Sequence, residues 1–297
     1  MSATAPFSLL TAFSTRVEGG NPAAVVFIDL SLPIETFKTI ARNFNQPITA
    51  FLSSSPIPSN DPKTVAFHVR WFTPNRQEID LCGHGTIAAA KAVFEREDLV
   101  SKETEIIEFH TLTRGIMTAR KCDGGFIEIQ LPAGDLIEIL GDENDEIRKV
   151  LARTFGKEVS INYIGAGREG FEDYLMVEID KKENLKDLPV DGDALRDAGF
   201  STNIFTTASL NGEERFISRM FAPGFVPGDE DHVCGSAHCL MTPYWSRKLG
   251  IASQEEIVAR QVSPRGGDLK LVWSSDEKVV RLRGQLAVLA TGEVRFA

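Results

Sequence analysis

The strongest constraint on the fold is a motif that occurs twice in the chain. Segment 69–90 reads VRWFTPNRQEIDLCGHGTIAAA, and segment 217–241 reads ISRMFAPGFVPGDEDHVCGSAHCLM. Both follow one plan: a strand carrying an arginine, then Phe-x-Pro, an acidic loop, a Cys-Gly pair and a helix of small residues. Cys82 aligns with Cys234. An internal repeat of this kind predicts two similar structural units.

Helices are predicted at four places by local signals, one of them at 145–155, which reads DEIRKVLARTF. In segment 31–45, Ser31 is the candidate N-cap, Pro33 lies near the first turn, and apolar residues follow at helical spacing. Two further helices are predicted directly behind the Cys-Gly pairs. Elsewhere strands predominate in both halves, separated by Gly-, Pro- and Asp-containing turns.

These patterns predict an α+β fold of two similar domains related by pseudo-twofold symmetry. We place the first domain at 1–130 and the second at 131–297, with the final strand able to return to the first domain. Packed face to face, such domains would bring Cys82 and Cys234 to one cleft from opposite sides.

Charge and composition exclude several partners. The 297 residues carry a formal net charge of -10 without a cluster of Lys and Arg, so neither nucleic acid nor an anionic membrane is expected as a partner. The sequence shows neither an apolar run of about 20 residues nor a signal peptide. We therefore expect a soluble, cytoplasmic protein. Its four cysteines contain no C-x-x-C pair and are expected to be reduced.

The Cys-Gly pairs are candidate sites of proton transfer. A helix N-terminus presents free backbone N–H groups and partial positive charge, which favours a thiolate and also seats a carboxylate. Two opposed thiols could invert an α-carbon without a cofactor, one removing the proton and the other delivering one to the opposite face. Backbone N–H groups would stabilise the enediolate-like charge that develops. The predicted substrate is a small carboxylate-bearing metabolite.

Several spaced motifs resemble a known family. GGNPAAVVF, RWFTP, DLCGHGTIAAA, FAPGF, EDHVCGSAH and RGG occur in the order found in phenazine biosynthesis (PhzF)-like proteins, which share the diaminopimelate epimerase fold. The resemblance implies two domains, each a barrel-like sheet around a central helix, with the active site between them and often a homodimer. The candidate substrate-binding residues, from the family positions, the helix entry and the Gly-Asn turn, are Asn21, Gly83, His84, Gly85, Asp231, Gly235 and Ser236.

Two positions depart from the PhzF-like pattern. Ile48 stands where the resemblance places the catalytic glutamate, and an isoleucine cannot transfer a proton. Cys234 stands where those proteins usually have threonine; with Cys82 it resembles the cysteine pair of diaminopimelate epimerases and proline racemases. The leading prediction is therefore an epimerase- or racemase-type isomerase with Cys82 and Cys234 as the catalytic acid and base.

Two alternatives remain open at this point. The first is a PhzF-like double-bond isomerase, dehydratase or other rearrangement enzyme that uses His84 and Asp231 for proton transfer. The second is a non-catalytic binding protein on the same fold. No cofactor and no metal are predicted, since His232 and His238 do not flank Cys234 at the spacing of a structural zinc site.

Overall fold

The helices and strands form two compact units. We describe a computed structural model that covers residues 3–57, 59, 61–210 and 212–296. Unit 1 comprises Met1–Leu131 and Arg281–Ala297, and unit 2 comprises Pro132–Val280. Among the described residues, no helix has the length and apolarity that a membrane span requires.

The elements follow one another in an order dominated by strands. The strands are β1 (Ala3–Ala12), β2 (Asn21–Ile28), β3 (Ile48–Ser53), β4 (Thr64–Phe72), β5 (Glu78–Ile79), β6 (Ile106–His110), β7 (Ile116–Lys121), β8 (Ile127–Pro132), β9 (Asp135–Glu138), β10 (Ile161–Arg168), β11 (Tyr174–Ile179), β12 (Thr202–Ala208), β13 (Phe216–Phe221), β14 (Glu230–Asp231), β15 (Glu256–Gln261), β16 (Gly267–Ser274), β17 (Val279–Gly284) and β18 (Leu286–Phe296). The α-helices are α1 (Ile34–Phe44), α2 (Gly83–Phe94), α3 (Gly141–Phe155), α4 (Gly192–Leu195) and α5 (Gly235–Leu249).

In unit 1 the sheet packs against a buried helix. β1 pairs antiparallel with β2, β2 parallel with β3, β3 antiparallel with β4, β4 parallel with β6, and β6 antiparallel with β7. Helix α2 is alanine-rich and buried on nearly every side, and it contacts β1, β2, β3 and β7. Such a helix has no solvent face and is stabilised by tertiary packing. On the other side of the sheet, α1 packs Phe37 against Phe51 and Phe72.

Unit 2 repeats the same succession of strand pairings. β10 pairs antiparallel with β11, β11 parallel with β12, β12 antiparallel with β13, β13 parallel with β15, and β15 antiparallel with β16. Helix α5 occupies the place in this order that α2 has in unit 1. The predicted mixture of helices with a dominant sheet is confirmed, whereas the pseudo-twofold relation between domains stays a prediction.

Helix α5 contains a proline whose backbone consequence is visible. Pro243 has no N–H to donate to the carbonyl of Cys239, four residues earlier. That carbonyl accepts instead from the N–H of Gly134, at 3.1 Å. A Cβ at Gly134 would lie 2.6 Å from Phe171 and 2.7 Å from Leu240, so only glycine allows this approach. The carbonyl freed by the proline is thus satisfied from another segment.

The predicted N-cap of the first helix is wrong. Pro33 holds the N-cap position, and its carbonyl accepts from the N–H of Thr36 at 2.9 Å. Ser31 lies in the preceding turn, where its N–H bonds the carboxylate of Asp29. The physical reason is Leu32, because a residue before proline is disfavoured in the helical region.

Candidate active site

The loops that lead to both cysteines are fixed by equivalent ion pairs. Arg70 on β4 makes two bonds, of 2.7 and 2.8 Å, to the carboxylate of Glu78. Arg219 on β13 makes two bonds of the same lengths to Glu230. Each guanidinium also stacks over a phenylalanine of its own strand. Both arginines are thus ion-paired, and each pair fixes the chain shortly before its Cys-Gly turn.

Cys82 is the N-cap of α2. Its backbone is extended, and its sulfur accepts a hydrogen bond from the N–H of Gly85 at 3.4 Å. Nδ1 of His84 lies 3.4 Å from the same sulfur. The carbonyl of Cys82 accepts from both the N–H and the hydroxyl of Thr86, at 2.9 and 2.7 Å. The thiol is therefore held at the positive end of a helix, with a donor directed at the sulfur.

Ile48 lies beside this thiol. A Cβ placed on Gly85 would be 3.1 Å from Cγ2 of Ile48, 2.9 Å from Cδ1 of Trp71 and 3.2 Å from the sulfur of Cys82. Ile48 and Trp71 are each 1% exposed. The indole N–H of Trp71 has no hydrogen-bond partner within the part of the chain that the structure describes. The first thiol site, comprising Cys82, His84, Gly85, Ile48 and Trp71, thus contains no carboxylate at the position of Ile48.

The other predicted residues of unit 1 lie on the same elements. Gly83 is the buried first residue of α2, and His84 is 9% exposed. Asn21 is the fully buried first residue of β2, and Ala23, two positions on, pairs with Ile48. Unit 1 therefore brings Gly83, His84 and Gly85 together around Cys82, with Asn21 at the start of the strand next to Ile48.

Cys234 is the N-cap of α5 and is held by two side chains. Nδ1 of His238 donates to the carbonyl of Cys234 at 2.7 Å, the interaction that Thr86 supplies in unit 1. The N–H of Cys234 donates to Oε1 of Gln261 at 2.9 Å, and Nε2 of Gln261 donates to the carbonyl of Asp231 at 2.6 Å. Gln261 thus ties the acidic loop to the helix entry.

The sulfur of Cys234 has a different environment from that of Cys82. Its Sγ lies 3.2 Å from Oγ of Ser236, and the phenol of Tyr174 donates to the same Oγ at 2.9 Å. Burial, together with the negative charge of Asp231, raises the pKa of the Cys234 thiol to about 12. Cys234 therefore carries its proton at neutral pH. We call Cys234, Ser236, Tyr174, Asp231 and Gln261 the second thiol site.

His238 is fully buried and uncharged. Burial lowers its pKa to about 4 although the carbonyl of Cys234 accepts its proton. No group of three or more His, Cys, Asp or Glu among the described residues could hold a metal ion. Cys239 donates to the carbonyl of Gly235 at 3.6 Å and so has a packing role.

Sequence reasoning missed three residues of these sites. Gln261 and Tyr174 bond the second thiol site from strands far along the chain, and Trp71 is a residue of the repeat that received no role. The available signal for Tyr174 was its place in the topology. Tyr174 is the first residue of β11. The strand at the same place in unit 1 is β2, whose first residue is the predicted site residue Asn21.

Comparison with known proteins agrees with this architecture. The family described as phenazine biosynthesis-like protein matches residues 10–292. An uncharacterized isomerase from Halalkalibacterium halodurans is 35% identical over 98% of both chains. A PhzF-family crystal structure from Enterococcus faecalis superposes with a TM-score of 0.79 at 28% identity, covering 98% of this chain and 99% of that one.

A more distant likeness concerns the fold alone. The crystal structure of a hydroxyproline epimerase from Agrobacterium vitis has a TM-score of 0.60 at 11% identity, with 99% of this chain and 93% of that one covered.

By class, the chain is an isomerase. It belongs to the phenazine biosynthesis-like protein family.

Proposed function

We propose that the chain is a cofactor-independent isomerase of the epimerase or racemase type. Cys82 and Cys234 act as its acid and base on a small carboxylate-bearing metabolite. The observation that carries the proposal is that each thiol caps a buried helix, whereas the neighbouring position 48 holds an isoleucine. In that neighbourhood the groups able to exchange a proton are the sulfur of Cys82 and the imidazole of His84.

The two environments support different starting states for the two thiols. The N–H of Gly85 and Nδ1 of His84 lie at the sulfur of Cys82, and hydrogen-bond donors there stabilise negative charge. The pKa of Cys234 is raised by burial and by Asp231, which keeps this thiol protonated. In one direction of reaction, Cys82 removes the α-proton as a thiolate and Cys234 donates its proton to the resulting carbanion. The reverse reaction exchanges these roles.

The backbone at the two helix entries supplies the electrostatic stabilisation. A substrate carboxylate gains negative charge as the α-proton leaves, and the N–H groups at a helix start favour that charge. We assign this task to the region of Gly83, Gly85, Gly235 and Ser236. His84 and Asn21 are assigned to substrate binding, and Asp231 to a substrate amine.

Deuterium exchange tests the mechanism. A panel of α-amino, α-imino and α-hydroxy acids is incubated with the protein in D₂O and followed by ¹H NMR and chiral chromatography. Inverted product should carry deuterium from the first turnover while the recovered substrate remains protonated, because the two protons reside on different thiols. Cys82→Ser and Cys234→Ser should each lower the rate at least 100-fold. Cys122→Ser is the matched control, since this half-buried thiol lies in a surface turn.

Three results would contradict the proposal. Full turnover in both single cysteine variants would exclude the two-thiol mechanism. A rearranged product without α-deuterium would indicate the PhzF-like alternative if its formation is lost in His84→Ala or Asp231→Ala. His84 lies close to Cys82, and the charge of Asp231 acts on Cys234, which is the structural basis of that alternative. Absence of exchange with every acid in the panel, together with saturable binding of one, would favour a binding protein.

A further inference from the structure

We propose that Tyr174 is a positioning residue of the second thiol site, fixing the Ser236 hydroxyl as a hydrogen-bond donor to the sulfur of Cys234. The hydrogen bonds among these three residues are observed in the structure, whereas their role in catalysis rests on the function proposed above. Tyr174 was not among the residues that the sequence identified.

The geometry forms a chain of three groups from two distant segments. Tyr174 opens β11, and its phenol oxygen lies 2.9 Å from Oγ of Ser236 in the first turn of α5. The same Oγ lies 3.2 Å from the sulfur of Cys234. The ring of Tyr174 packs edge-on against the ring of Phe171, with centroids 5.3 Å apart. The backbone N–H of Tyr174 donates to the backbone carbonyl of Phe171. The phenol is therefore held in place by contacts that do not involve its hydroxyl.

The number of hydrogens on each group determines which group donates in this series of hydrogen bonds. A serine hydroxyl has one hydrogen, so if it accepts from Tyr174 it can donate that hydrogen to the sulfur. Burial raises the pKa of the Tyr174 phenol above its usual range, so the phenol keeps its proton and remains a donor. When Cys234 is a thiolate, the sulfur can only accept, and this is the one arrangement that satisfies all three groups. When Cys234 is a thiol, the same arrangement leaves its S–H directed away from Ser236.

The energetic effect opposes that of burial. The Ser236 hydrogen bond lowers the pKa of the Cys234 thiol, whereas burial and Asp231 raise it. Hydrogen bonds in series polarise one another, so donation by Tyr174 strengthens the bond from Ser236 to the sulfur. Backbone N–H groups of Ser236 and Ala237 lower the pKa of Cys234 as well. At the first thiol site a backbone N–H donates to the sulfur, and the side chain beside it is the imidazole of His84 rather than a hydroxyl. The side chains next to the two sulfurs therefore differ, and each can be replaced without changing the other site.

Thiol reactivity tests the proposal without a substrate. The full-length protein is treated with iodoacetamide between pH 7 and 9, and the alkylation of each cysteine is followed by peptide mass spectrometry. Well below the pKa, the alkylation rate follows the thiolate fraction. Ser236→Ala should slow alkylation of Cys234 about tenfold, the effect of about one pKa unit expected from a charge-assisted hydrogen bond. Tyr174→Phe should slow it about threefold. In the Ser236→Ala background, Tyr174→Phe should have no further effect.

Two controls separate this effect from loosening of the fold. Cys239, buried in the same helix and in the same tryptic peptide, should react at an unchanged rate in every variant. Tyr163→Phe removes a phenol from the adjacent strand β10 and should leave Cys234 unaffected. Three results would overturn the proposal. They are an unchanged alkylation rate of Cys234 in Tyr174→Phe, a parallel rise in the alkylation rates of Cys234 and Cys239, and an equal effect of Tyr174→Phe in the Ser236→Ala background. Failure of deuterium exchange alone would contradict the proposed function and leave the hydrogen-bond chain standing.

Discussion

Replacement of His238 by asparagine should make the protein less sensitive to acid. His238 is fully buried, and its pKa is lowered from 6.5 to about 4 by loss of hydration. Unfolding exposes the imidazole, which then binds a proton below about pH 6.5. Between the two pKa values the unfolded state holds more protons than the native state, so stability falls as the pH is lowered.

The size of the effect follows from these two pKa values. The full loss across the interval is about 3 kcal/mol, and about 2 kcal/mol is already lost at pH 5. Above pH 6.5 the contribution is fully present. Asparagine places an amide N–H where Nδ1 lies, so the hydrogen bond to the carbonyl of Cys234 can be kept without a titrating group.

Denaturant unfolding of wild type and His238→Asn at pH 7.5, 6 and 5 measures the difference. The variant's own packing loss is constant with pH and cancels when each protein is compared with itself at pH 7.5. His232, whose pKa is also lowered by burial, is present in both proteins and cancels too. We expect wild type to lose about 2 kcal/mol more than the variant at pH 5. Parallel losses in the two proteins would refute the reasoning.

Two further predictions concern packing and charge. Gly85→Ala should destabilise the protein by about 1–3 kcal/mol in thermal unfolding because the new Cβ meets the buried side chains of Trp71 and Ile48. This cost should be smaller in an Ile48→Ala background. Additive destabilisation by the two substitutions would contradict this contact. Arg219→Met should cost about 3–5 kcal/mol in denaturant unfolding, since it leaves the carboxylate of Glu230, whose side chain is 12% exposed, without its ion-pair partner. Arg70→Met should cost less, since the carboxylate partner of Arg70 is 26% exposed, and equal costs would show that burial is not the deciding factor.

The sequence predicted best what is local. The Phe-x-Pro loop, the acidic residue behind it and the Cys-Gly helix start lie within about twenty residues, and their repetition indicated the same local structure twice. The arginines at equivalent places in the two copies of the motif form equivalent ion pairs. The failure at Ser31 was also local, because the residue before Pro33 cannot easily enter a helix.

The contacts that sequence reasoning missed are long-range. Tyr174 lies 62 residues from Ser236, and Gln261 lies 27 residues from Cys234. Their partners are set by which strands become neighbours, and neither a strand-opening tyrosine nor a strand-closing glutamine differs in pattern from many surface residues. Helix caps follow rules of spacing, whereas the groups that tune a capped thiol depend on the tertiary arrangement of the whole unit.

The proline of α5 has a consequence for how this chain can vary. Because Pro243 leaves the Cys239 carbonyl open to the N–H of Gly134, the two positions, more than a hundred residues apart, form one compatible pair. Alanine at 243 would add a helical donor to the carbonyl that Gly134 bonds, and alanine at 134 would place a methyl group 2.6 Å from a ring carbon of Phe171. A protein engineer recombining segments of this chain with those of a relative should therefore exchange residues 134 and 243 together.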